Sequence, residues 1–367
     1  MEKLYDERRE LEWFWLCSIP GLFEADRKRL LQVYREPGRL YTEAKGKKGL
    51  LPVLTEKKLQ AVRSHWELSR AQDAYHKWRE KGIQFISCEN PLYPARLQQI
   101  PDYPSGLFYK GAMISKEERC VAVIGARMCT YNGRNTAQEL SKRLAQNGVS
   151  VVSGMAYGID AQAQEACIKA GGKSYAVLGC GADICYPKEN RGLYEALADK
   201  GGVISEFYPG TAPAAWHFPM RNRIISGLSE IVVVVEARKK SGTLITADLA
   251  LEQGRDVYAF PGRMQDALSA GCNRLIQEGA WMITDIEEFL ETNGFLTRKA
   301  AKEKNPNLVL ASSEKLVYSC LDSDAKNLQT LAEETDLPIW QLMGVLSTLE
   351  LKGLASESGK NNYVKMK

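Results

Sequence analysis

The sequence is poor in the residues from which metal and redox sites are built. It has only three histidines, and its nine scattered cysteines contain no Cys-x-x-Cys pair. Cysteine pairs at that spacing are typical of structural zinc sites, and an even set of cysteines in a short chain is typical of a disulfide-bonded fold. We therefore predict no metal site, no disulfide framework and no cofactor. Unpaired thiols fit a reducing compartment such as the cytoplasm.

Long apolar runs are missing as well. A membrane-spanning helix needs roughly 20 apolar residues in a row, whereas the longest run here is residues 231–235, which has the length of a buried strand. The first ten residues are too rich in charge for a secretory signal. The sequence thus predicts a cytoplasmic protein without a membrane span.

Neither sign of charge is in large excess. The chain has 367 residues with 49 Lys and Arg against 45 Asp and Glu, a net charge of +4. Such a weak excess does not by itself indicate a nucleic-acid partner, so a basic binding site would have to be local. The hydrophobic fraction of 44% is that of an ordinary globular protein, and the length predicts roughly two to three domains.

Changes in pattern divide the chain into four segments. Residues 1–90 read as a helical domain of the SAM or helix-hairpin-helix kind, in which Ile19-Pro20-Gly21 is either a DNA-contacting hairpin or a plain turn between helices. A Rossmann-like domain is predicted for residues 91–292, opening with an extended Pro- and Tyr-rich connector at 91–110. A polar linker, 293–312, then leads to a helix and hairpin pattern at 313–367 that suggests a winged helix.

Short apolar runs alternate with helical patterns between residues 119 and 292. The runs are 121–124, 149–152, 175–178, 203–205, 231–235 and 257–260. Each has the length of a buried strand, and ten or more residues separate most of them. This pattern predicts a parallel, doubly wound α/β sheet.

A glycine-rich turn follows the first run. Gly125 and Gly133 bracket it, and we expect a helix from about Arg134. Such a turn directs backbone N–H groups and a helix N-terminus at an anion. However, Arg127 replaces the second glycine of the dinucleotide fingerprint, and the second run ends in Ser153-Gly154 instead of an acidic residue. The turn therefore predicts phosphate binding, but not binding of NAD or FAD.

Further loops add glycines and cations. The second loop contains Gly154, and the third runs from Gly181 to Lys188 and Arg191. In this topology all three loops emerge at the carboxyl edge of the sheet, where ligands bind. The stretch 218–227 then places two arginines just before a predicted helix, and the Lys-rich loop 236–243 places Ser241-Gly242 before another. Forked guanidinium donors match phosphate oxygens.

Groups suited to catalysis are few. His217 adjoins the Arg-Asn-Arg segment, and we interpret it as a structural histidine. Asp160, Asp183 and Glu236 are acids near the loops, and we expect Asp160 to cap its helix and the other two to hold loop geometry. The sequence therefore predicts no catalytic residue.

Together these segments closely resemble the DNA-processing protein DprA (Smf) family. The segments that carry the resemblance are Gly125-x-Arg127 with Tyr131-x-Gly133, Ser153-Gly154-x-Ala156-x-Gly158-Ile159-Asp160, Gly179-x-Gly181-x-Asp183 with Tyr186-Pro187-x-x-Asn190, Phe218-Pro219-x-Arg221-Asn222-Arg223, Ser241-Gly242 and Gly271-x-Asn273. Many relatives have a histidine where this chain has Gln164. The resemblance implies an extended Rossmann fold that binds single-stranded DNA, forms homodimers and hands incoming DNA to the RecA recombinase during natural transformation.

Specific residues are implicated by the same resemblance. Those expected in the DNA pocket or shaping it are Gly125, Arg127, Tyr131, Ser153, Gly154, Gly181, Lys188, Arg191, Phe218, Arg221, Asn222, Arg223, Ser241 and Gly242. Arginines and lysines would hold phosphates, so that affinity falls with salt. Bases would stack on Tyr131, Tyr186 or Phe218, which tolerates any sequence.

Two other functions are weighed against this one. A Rossmann-like nucleotide phosphoribohydrolase would carry a Pro-Gly-Gly-x-Gly-Thr-x-x-Glu signature, but Thr246 stands where the glutamate should be. A double-strand-specific transcription factor would use the winged helix, yet residues 313–367 contain six Lys and Arg against eight Asp and Glu, a net charge of −2. We instead hypothesise that residues 313–367 contact protein or only cap the core.

Overall fold

The computed structural model describes residues 6–46, 53–65, 67–296, 311–322 and 324–366. The chain divides into two compact units, Met1–Thr297 and Arg298–Lys367. This division falls within the predicted linker 293–312, of which residues 297–310 lie outside the described residues. Across the described ranges, no helix combines the length and the apolar character needed to cross a bilayer.

Helices precede the sheet at the start of the first unit. They are α1 (Glu7–Ser18), α2 (Glu24–Tyr34), α3 (Pro37–Lys45), α4 (Glu56–Ser64) and α5 (Leu68–Glu80). Asp6 caps α1 by accepting a hydrogen bond from the N–H of Arg8 at 2.9 Å. Phe14 on α1 packs edge-on against Phe85 and Phe108, at ring-centre distances of 5.4 and 5.9 Å. The helices therefore share one hydrophobic core with the sheet that follows.

A mixed sheet forms the centre of this unit. Its strands are β1 (Ile83–Ser87), β2 (Gly106–Gly111), β3 (Cys120–Ile124), β4 (Ser150–Ser153), β5 (Ser174–Val177), β6 (Gly202–Ser205), β7 (Ile231–Val234), β8 (Asp256–Ala259) and β9 (Trp281–Met282). In the described chain their order is β1-β2-β6-β5-β4-β3-β7-β8-β9. From β6 to β9 all neighbours are parallel. This confirms the doubly wound, Rossmann-like sheet, with strands close to the predicted runs.

The edge of the sheet differs from expectation at β1 and β2. Residues 83–87, predicted to be helical, form a strand because Ile83, Phe85 and Ile86 are β-branched or aromatic residues that favour strands, and every residue except Gln84 is buried. Residues 91–110, predicted to be an extended connector, instead contain a short helix and the strand β2. β1 and β2 pair antiparallel, and β2 continues the sheet by pairing antiparallel with β6.

Helices cover both faces of the sheet. They are α6 (Ala95–Gln98), α7 (Tyr131–Gln146), α8 (Ile159–Lys169), α9 (Arg191–Lys200), α10 (His217–Leu228), α11 (Gly242–Glu252), α12 (Ala270–Gln277) and α13 (Ile286–Thr292). Side chains of successive residues in β3 point to opposite faces of the sheet and so join different hydrophobic cores. Val121 and Val123 pack with α7 and α8, whereas Ala122 and Ile124 pack with α10 and α11. Burial on both faces explains why the strands read as continuous apolar runs.

The second unit has its own small core. Its elements are α14 (Ser312–Cys320), β10 (Lys326–Asn327), α15 (Leu328–Thr335), α16 (Ile339–Leu351), β11 (Ala355–Gly359) and β12 (Asn362–Lys365). Leu331, Leu342 and Leu346 are fully buried in it. Its last two strands, β11 and β12, pair antiparallel. The side chain of Trp340 on α16 is 76% exposed.

Candidate nucleic-acid interface

The strand order reverses direction between β3 and β7. The chain proceeds from β3 to β4, β5 and β6 on one side and continues with β7 and β8 on the other. Loops from β3 and β7 diverge at such a switch point and leave a crevice at the carboxyl edge of the sheet. The predicted site residues come from the carboxyl ends of β3, β4, β5 and β7, with the loops and helix starts that follow them, and from α10.

Thr130 and Glu236 fix the loop after β3. Thr130 accepts a hydrogen bond from the N–H of Gly133 at 2.9 Å, so that α7 begins at Tyr131, earlier than the expected Arg134. Glu236, which follows β7, accepts hydrogen bonds from the N–H and hydroxyl of Thr130 at 2.9 and 2.5 Å. A Cβ at position 133 would collide with this carboxylate. The interpretation of Glu236 as a residue that holds loop geometry is thus confirmed.

Two buried side chains of opposite charge, Asp160 and Arg221, lie beneath the loops. The Asp160 carboxylate accepts a hydrogen bond from the N–H of Gly154 at 3.2 Å. Burial raises the pKa of Asp160, an effect opposed by Arg221 and by surrounding backbone N–H groups. Burial lowers the pKa of Arg221 to about 10, and Asp160 opposes that shift. Asp160 therefore accepts hydrogen bonds from loop amides and stands in the first turn of α8.

The loop after β4 is held in an uncommon conformation. Met155 has a backbone φ of +53°, a value that residues other than glycine rarely adopt. Its N–H donates to Oε1 of Gln164 at 3.1 Å, and its carbonyl accepts from Nδ2 of Asn190 at 2.9 Å. Nε2 of Gln164 also donates to the carbonyl of Tyr175 on β5 at 3.0 Å. Gln164 therefore ties this loop to the sheet.

Arg127 stands exposed at the mouth of a shallow pocket. Its guanidinium lies 5.7 Å from the ring centre of Phe218. The Phe218 ring stacks on Tyr186, with centres 5.6 Å apart and an interplanar angle of 28°. Within the described ranges, Arg127 forms no ion pair with a carboxylate. An exposed, unpaired guanidinium beside stacked aromatic rings is suited to a phosphate and the adjacent bases of a nucleic acid.

The rest of this pocket is built by neighbouring loops. We define the edge pocket by the residues that line it, which are Arg127, Gly154, Ala156, Tyr157, Tyr186, Pro187, Phe218 and Arg221. Its enclosed volume is only about 30 Å³, so that a ligand would lie across its rim. Ala156, Tyr157 and Pro187 were not predicted, although Tyr157, which is 43% exposed, lies within a motif that the sequence singled out.

Gly154 and Arg221 shape the floor of the edge pocket. Arg221 donates to the carbonyls of Gly154, at 3.0 Å, and of Val177. A Cβ on residue 154 would lie 2.5 Å from a guanidinium nitrogen of Arg221. Glycine is therefore required there if the guanidinium is to stay beneath the loop.

Arg223 does not reach the edge pocket. Its guanidinium forms a bidentate ion pair with Glu206, at 2.7 and 2.8 Å, and a second pair with Asp102 at 2.8 Å. The prediction that it contacts phosphate is therefore replaced by a structural role. The sequence suggested a loop before a helix, but α10 already begins at His217. Residues 221, 222 and 223 then point about 100° apart around the helix.

Other predicted site residues are also held by neighbours. Oγ of Ser153 is buried and donates to the carbonyl of Val123 at 2.7 Å. The N–H of Gly181 donates to the carbonyl of Thr211 at 2.9 Å. Arg191 pairs with Glu195 at 2.7 Å on the exposed side of α9. These contacts leave Ser153 and Gly181 to shape loops and keep Arg191 out of the pocket lining.

The remaining predicted site residues lie outside the lining of the edge pocket. Gly125 packs against Ile159 of α8, where a Cβ would lie 2.6 Å from that side chain. Tyr131 is the half-buried first residue of α7, and Lys188 is exposed beside Pro187. Nδ2 of Asn222 donates to the carbonyl of Gly242 at 3.4 Å, at the start of α11. Ser241 lines a separate small cleft with Lys239 and Lys240.

Acidic and histidine side chains near the loops have structural contacts. Nδ1 of His217 lies 2.9 Å from the carbonyl of Gly179, and the ring is buried. Asp183 accepts a hydrogen bond from the N–H of Gly210 at 2.8 Å. Thr246 is buried, and its hydroxyl donates to the carbonyl of Gly242 at 3.4 Å. Among the described residues, no group of three or more His, Cys, Asp or Glu could hold a metal ion.

Comparison with known proteins places this geometry in context. The model of the family described as DNA recombination-mediator protein A matches residues 84–294. DNA processing protein DprA of Streptococcus pneumoniae is 45% identical over 205 residues, which are 56% of this chain and 72% of that protein. Protein Smf of Escherichia coli is 36% identical over 285 residues, which are 77% of this chain and 75% of that protein.

Solved structures agree with the sequence comparisons. DNA processing protein A of Streptococcus pneumoniae matches with a TM-score of 0.66 at 33% identity, covering 77% of this chain and 97% of that one. DNA processing protein A of Helicobacter pylori, whose structure is described in terms of its single-stranded DNA binding mode, matches with a TM-score of 0.52 at 30% identity. That match covers 57% of this chain and 95% of the Helicobacter chain.

Proposed function

The chain belongs to the DNA recombination-mediator protein A family, and from this premise we propose that it binds single-stranded DNA across the edge pocket during natural transformation. The observation that carries the proposal is Arg127, an exposed guanidinium without an acidic partner among the described residues, beside the stacked rings of Tyr186 and Phe218. The related Helicobacter protein, by its description, binds single-stranded DNA.

The mechanism follows from the chemistry of the pocket. Arg127 would pair with a phosphate and release condensed counterions, so that affinity falls as salt rises. Tyr186 is 41% exposed, and together with Tyr157 it offers a ring face to a base. Because the pocket is shallow, it suits an extended strand with splayed bases better than a paired duplex. Lys188, beside Pro187, would add a second phosphate contact.

A gel-shift series tests the proposed function. Full-length protein is titrated against an oligo-dT strand and against a duplex of the same length at several salt concentrations. We expect preferential binding of the single strand, with log affinity falling linearly as log salt rises. Equal affinity for the duplex, or an affinity that does not depend on salt, would contradict the proposal.

We further infer that the edge pocket is a binding site and not an enzyme active site. Thr246, which replaces the glutamate of the phosphoribohydrolase signature, is buried and hydrogen-bonded within α11. Asp160 is buried and accepts hydrogen bonds from loop amides, so it is not free to move a proton for a substrate. Incubation with nucleoside monophosphates should therefore release no free base.

Two partners complete the proposal. A homodimer would place two pockets on one strand and raise the effective affinity. Trp281 and Met282, on the edge strand β9, are each more than half exposed and offer apolar surface for such contact. Transfer of the strand to RecA is proposed from the family resemblance. Light scattering that finds only monomer would contradict the proposed homodimer. RecA filament assembly that is no faster with this protein than without it would contradict the proposed transfer to RecA.

The second unit is expected to contribute little to single-strand affinity. The exposed face of α16 carries Trp340 and Met343, and the helix has Glu350 as its only charged residue. A helix that binds a DNA groove would need cations for phosphate. Deleting residues 305–367 should therefore leave the affinity for oligo-dT within a few-fold of the full chain. A hundredfold loss in the same binding assay would show that this unit contacts the strand.

A further inference from the structure

The loop between β7 and α11 carries three consecutive cations. Arg238, Lys239 and Lys240 are all exposed, and we name residues 238–240 the basic loop. Across the described ranges, none of the three side chains forms an ion pair with a carboxylate. None of them lines the edge pocket either. The binding of DNA at the edge pocket therefore does not account for these charges.

The order of the strands places the basic loop beside the edge pocket. The pocket takes its lining in part from the loops after β5, β4 and β3, which are neighbours in the sheet. β7 pairs with β3 on its other side, and all four strands are parallel, so that their following loops emerge at the same edge. Neighbouring strands lie about 4.8 Å apart. A DNA strand that crosses from β5 to β3 therefore meets the basic loop one strand further on.

Hydrogen bonds hold both ends of this connection against the elements that build the edge pocket. Before the basic loop, Glu236 accepts hydrogen bonds from the N–H and hydroxyl of Thr130, in the loop that carries Arg127. After it, the carbonyl of Gly242 accepts a hydrogen bond from Nδ2 of Asn222 at 3.4 Å. Asn222 belongs to α10, the helix that supplies two residues of the pocket lining. The basic loop is thus fixed next to the pocket.

Charge distinguishes the two directions in which a strand could leave the edge pocket. On the side of β5, the next strand is β6, and residues 206–216 that follow it contain no lysine or arginine. Their one acidic residue, Glu206, is buried and paired with Arg223. On the side of β3, the next loop is the basic loop. Because cations release the counterions of phosphates, the strand is favoured to continue toward β7.

Nearby acids do not cancel the charge of the basic loop. Lys239 and Lys240 line a small cleft together with Asp248, Arg274 and Glu278. Arg274 and Glu278 pair with each other at 2.7 Å, so that two lysines face the single carboxylate of Asp248. The lining of this cleft includes no aromatic side chain. It therefore suits the phosphates of a strand and not its bases.

We propose that the basic loop binds the phosphates that follow the one held by Arg127, so that the DNA site extends along the sheet edge from β5 across β3 to β7. The lysine ammonium groups act there as point charges on flexible stems, which bind phosphate without requiring one fixed geometry. Such contacts do not depend on the base sequence. This inference rests on the proposed function, because the same strand must first cross the edge pocket.

Covalent trapping on lysine tests the path of the strand directly. Oligo-dT of about 15 nucleotides, near the upper end of single-strand site sizes, is prepared with one abasic site at successive positions. The aldehyde of that site condenses with a lysine amine, with loss of water, and borohydride reduces the imine to a stable amine that peptide mapping locates. We expect the attachment to shift from Lys188 to Lys239 or Lys240 as the abasic site moves along the strand.

The possible results of trapping separate the two proposals. A bound strand that attaches to other lysines, and to neither Lys239 nor Lys240 from any position, would overturn the role of the basic loop but leave the proposed function intact. A strand that does not bind to the full chain at all would overturn both.

Affinity measurements give a second readout. The double variant Lys239→Gln with Lys240→Gln should bind the 15-nucleotide strand roughly tenfold or more weakly at 0.1 M salt, and its salt slope should flatten by about 1.4, which corresponds to two lost phosphate contacts. Lys116→Gln with Lys200→Gln is the matched control, because it removes two exposed lysines that precede β3 and β6 at the opposite edge of the sheet. Equal affinity and slope in the two double variants would overturn the proposal.

Discussion

Arg127→Ala is expected to weaken binding of oligo-dT by roughly ten- to a hundredfold, because hydrogen bonds to charged groups contribute about 1.5–3 kcal/mol. The side chain is exposed and has no ion-pair partner among the described residues, so its removal leaves no acid uncompensated. Stability should therefore change little. The slope of log affinity against log salt should flatten by about 0.7 for each phosphate that the variant no longer neutralises. Fluorescence anisotropy over a salt series measures affinity and slope together.

Two further variants separate charge from geometry at this position. Arg127→Lys keeps the charge but loses the planar fork and its contact with Phe218, so that we expect the salt slope to recover more fully than the affinity. Arg70→Ala, on α5, controls for the change in net charge, because it removes an exposed arginine whose ion pair within the described part of the chain is with Glu67. Unchanged affinity and slope in Arg127→Ala, with a native circular dichroism spectrum, would refute the edge pocket as the DNA site.

Much of the α/β sheet could be predicted from the sequence because its strands are buried on both faces. Residues 121–124 and 231–235 read as continuous apolar runs for that reason. β1 was missed because it is a short stretch that follows a long helix and does not alternate regularly, since Phe85 and Ile86 are adjacent apolar residues. Its pairing with β2 is a long-range contact that no local pattern encodes.

The candidate site was predicted less completely. The direction in which each side chain points around a helix cannot be assigned until the first residue of that helix is known. α10 begins at His217, which puts Phe218 and Arg221 one turn apart on the face toward the edge pocket. Arg223 rotates to Glu206 on the opposite side, although its residue type suits phosphate equally well. Arg127, by contrast, lies in a loop whose position the strand before it already fixes. Its place at the edge pocket could therefore be predicted from the sequence.

Removal of Arg223 is expected to destabilise the fold without removing a DNA contact. Its guanidinium is buried between Glu206 and Asp102, and Glu206 is itself 4% exposed. Arg223→Met would leave the Glu206 carboxylate buried and unpaired, which typically costs about 3–5 kcal/mol. Urea denaturation should show this loss as a lower midpoint with an unchanged slope. At temperatures where the variant is folded, affinity for oligo-dT should stay within a few-fold of wild type.

The double variant Arg223→Met with Glu206→Leu distinguishes a buried ion pair from a DNA ligand. Removing both charges leaves neither one uncompensated, so that much of the lost stability should return. Single-strand affinity of the double variant is best compared on a strand of about four nucleotides, which is just long enough to cross the edge pocket. If Arg223→Met kept its stability but lost affinity for that strand, Arg223 would contact DNA after all. Its pairing with Glu206 would then have to open when the strand binds.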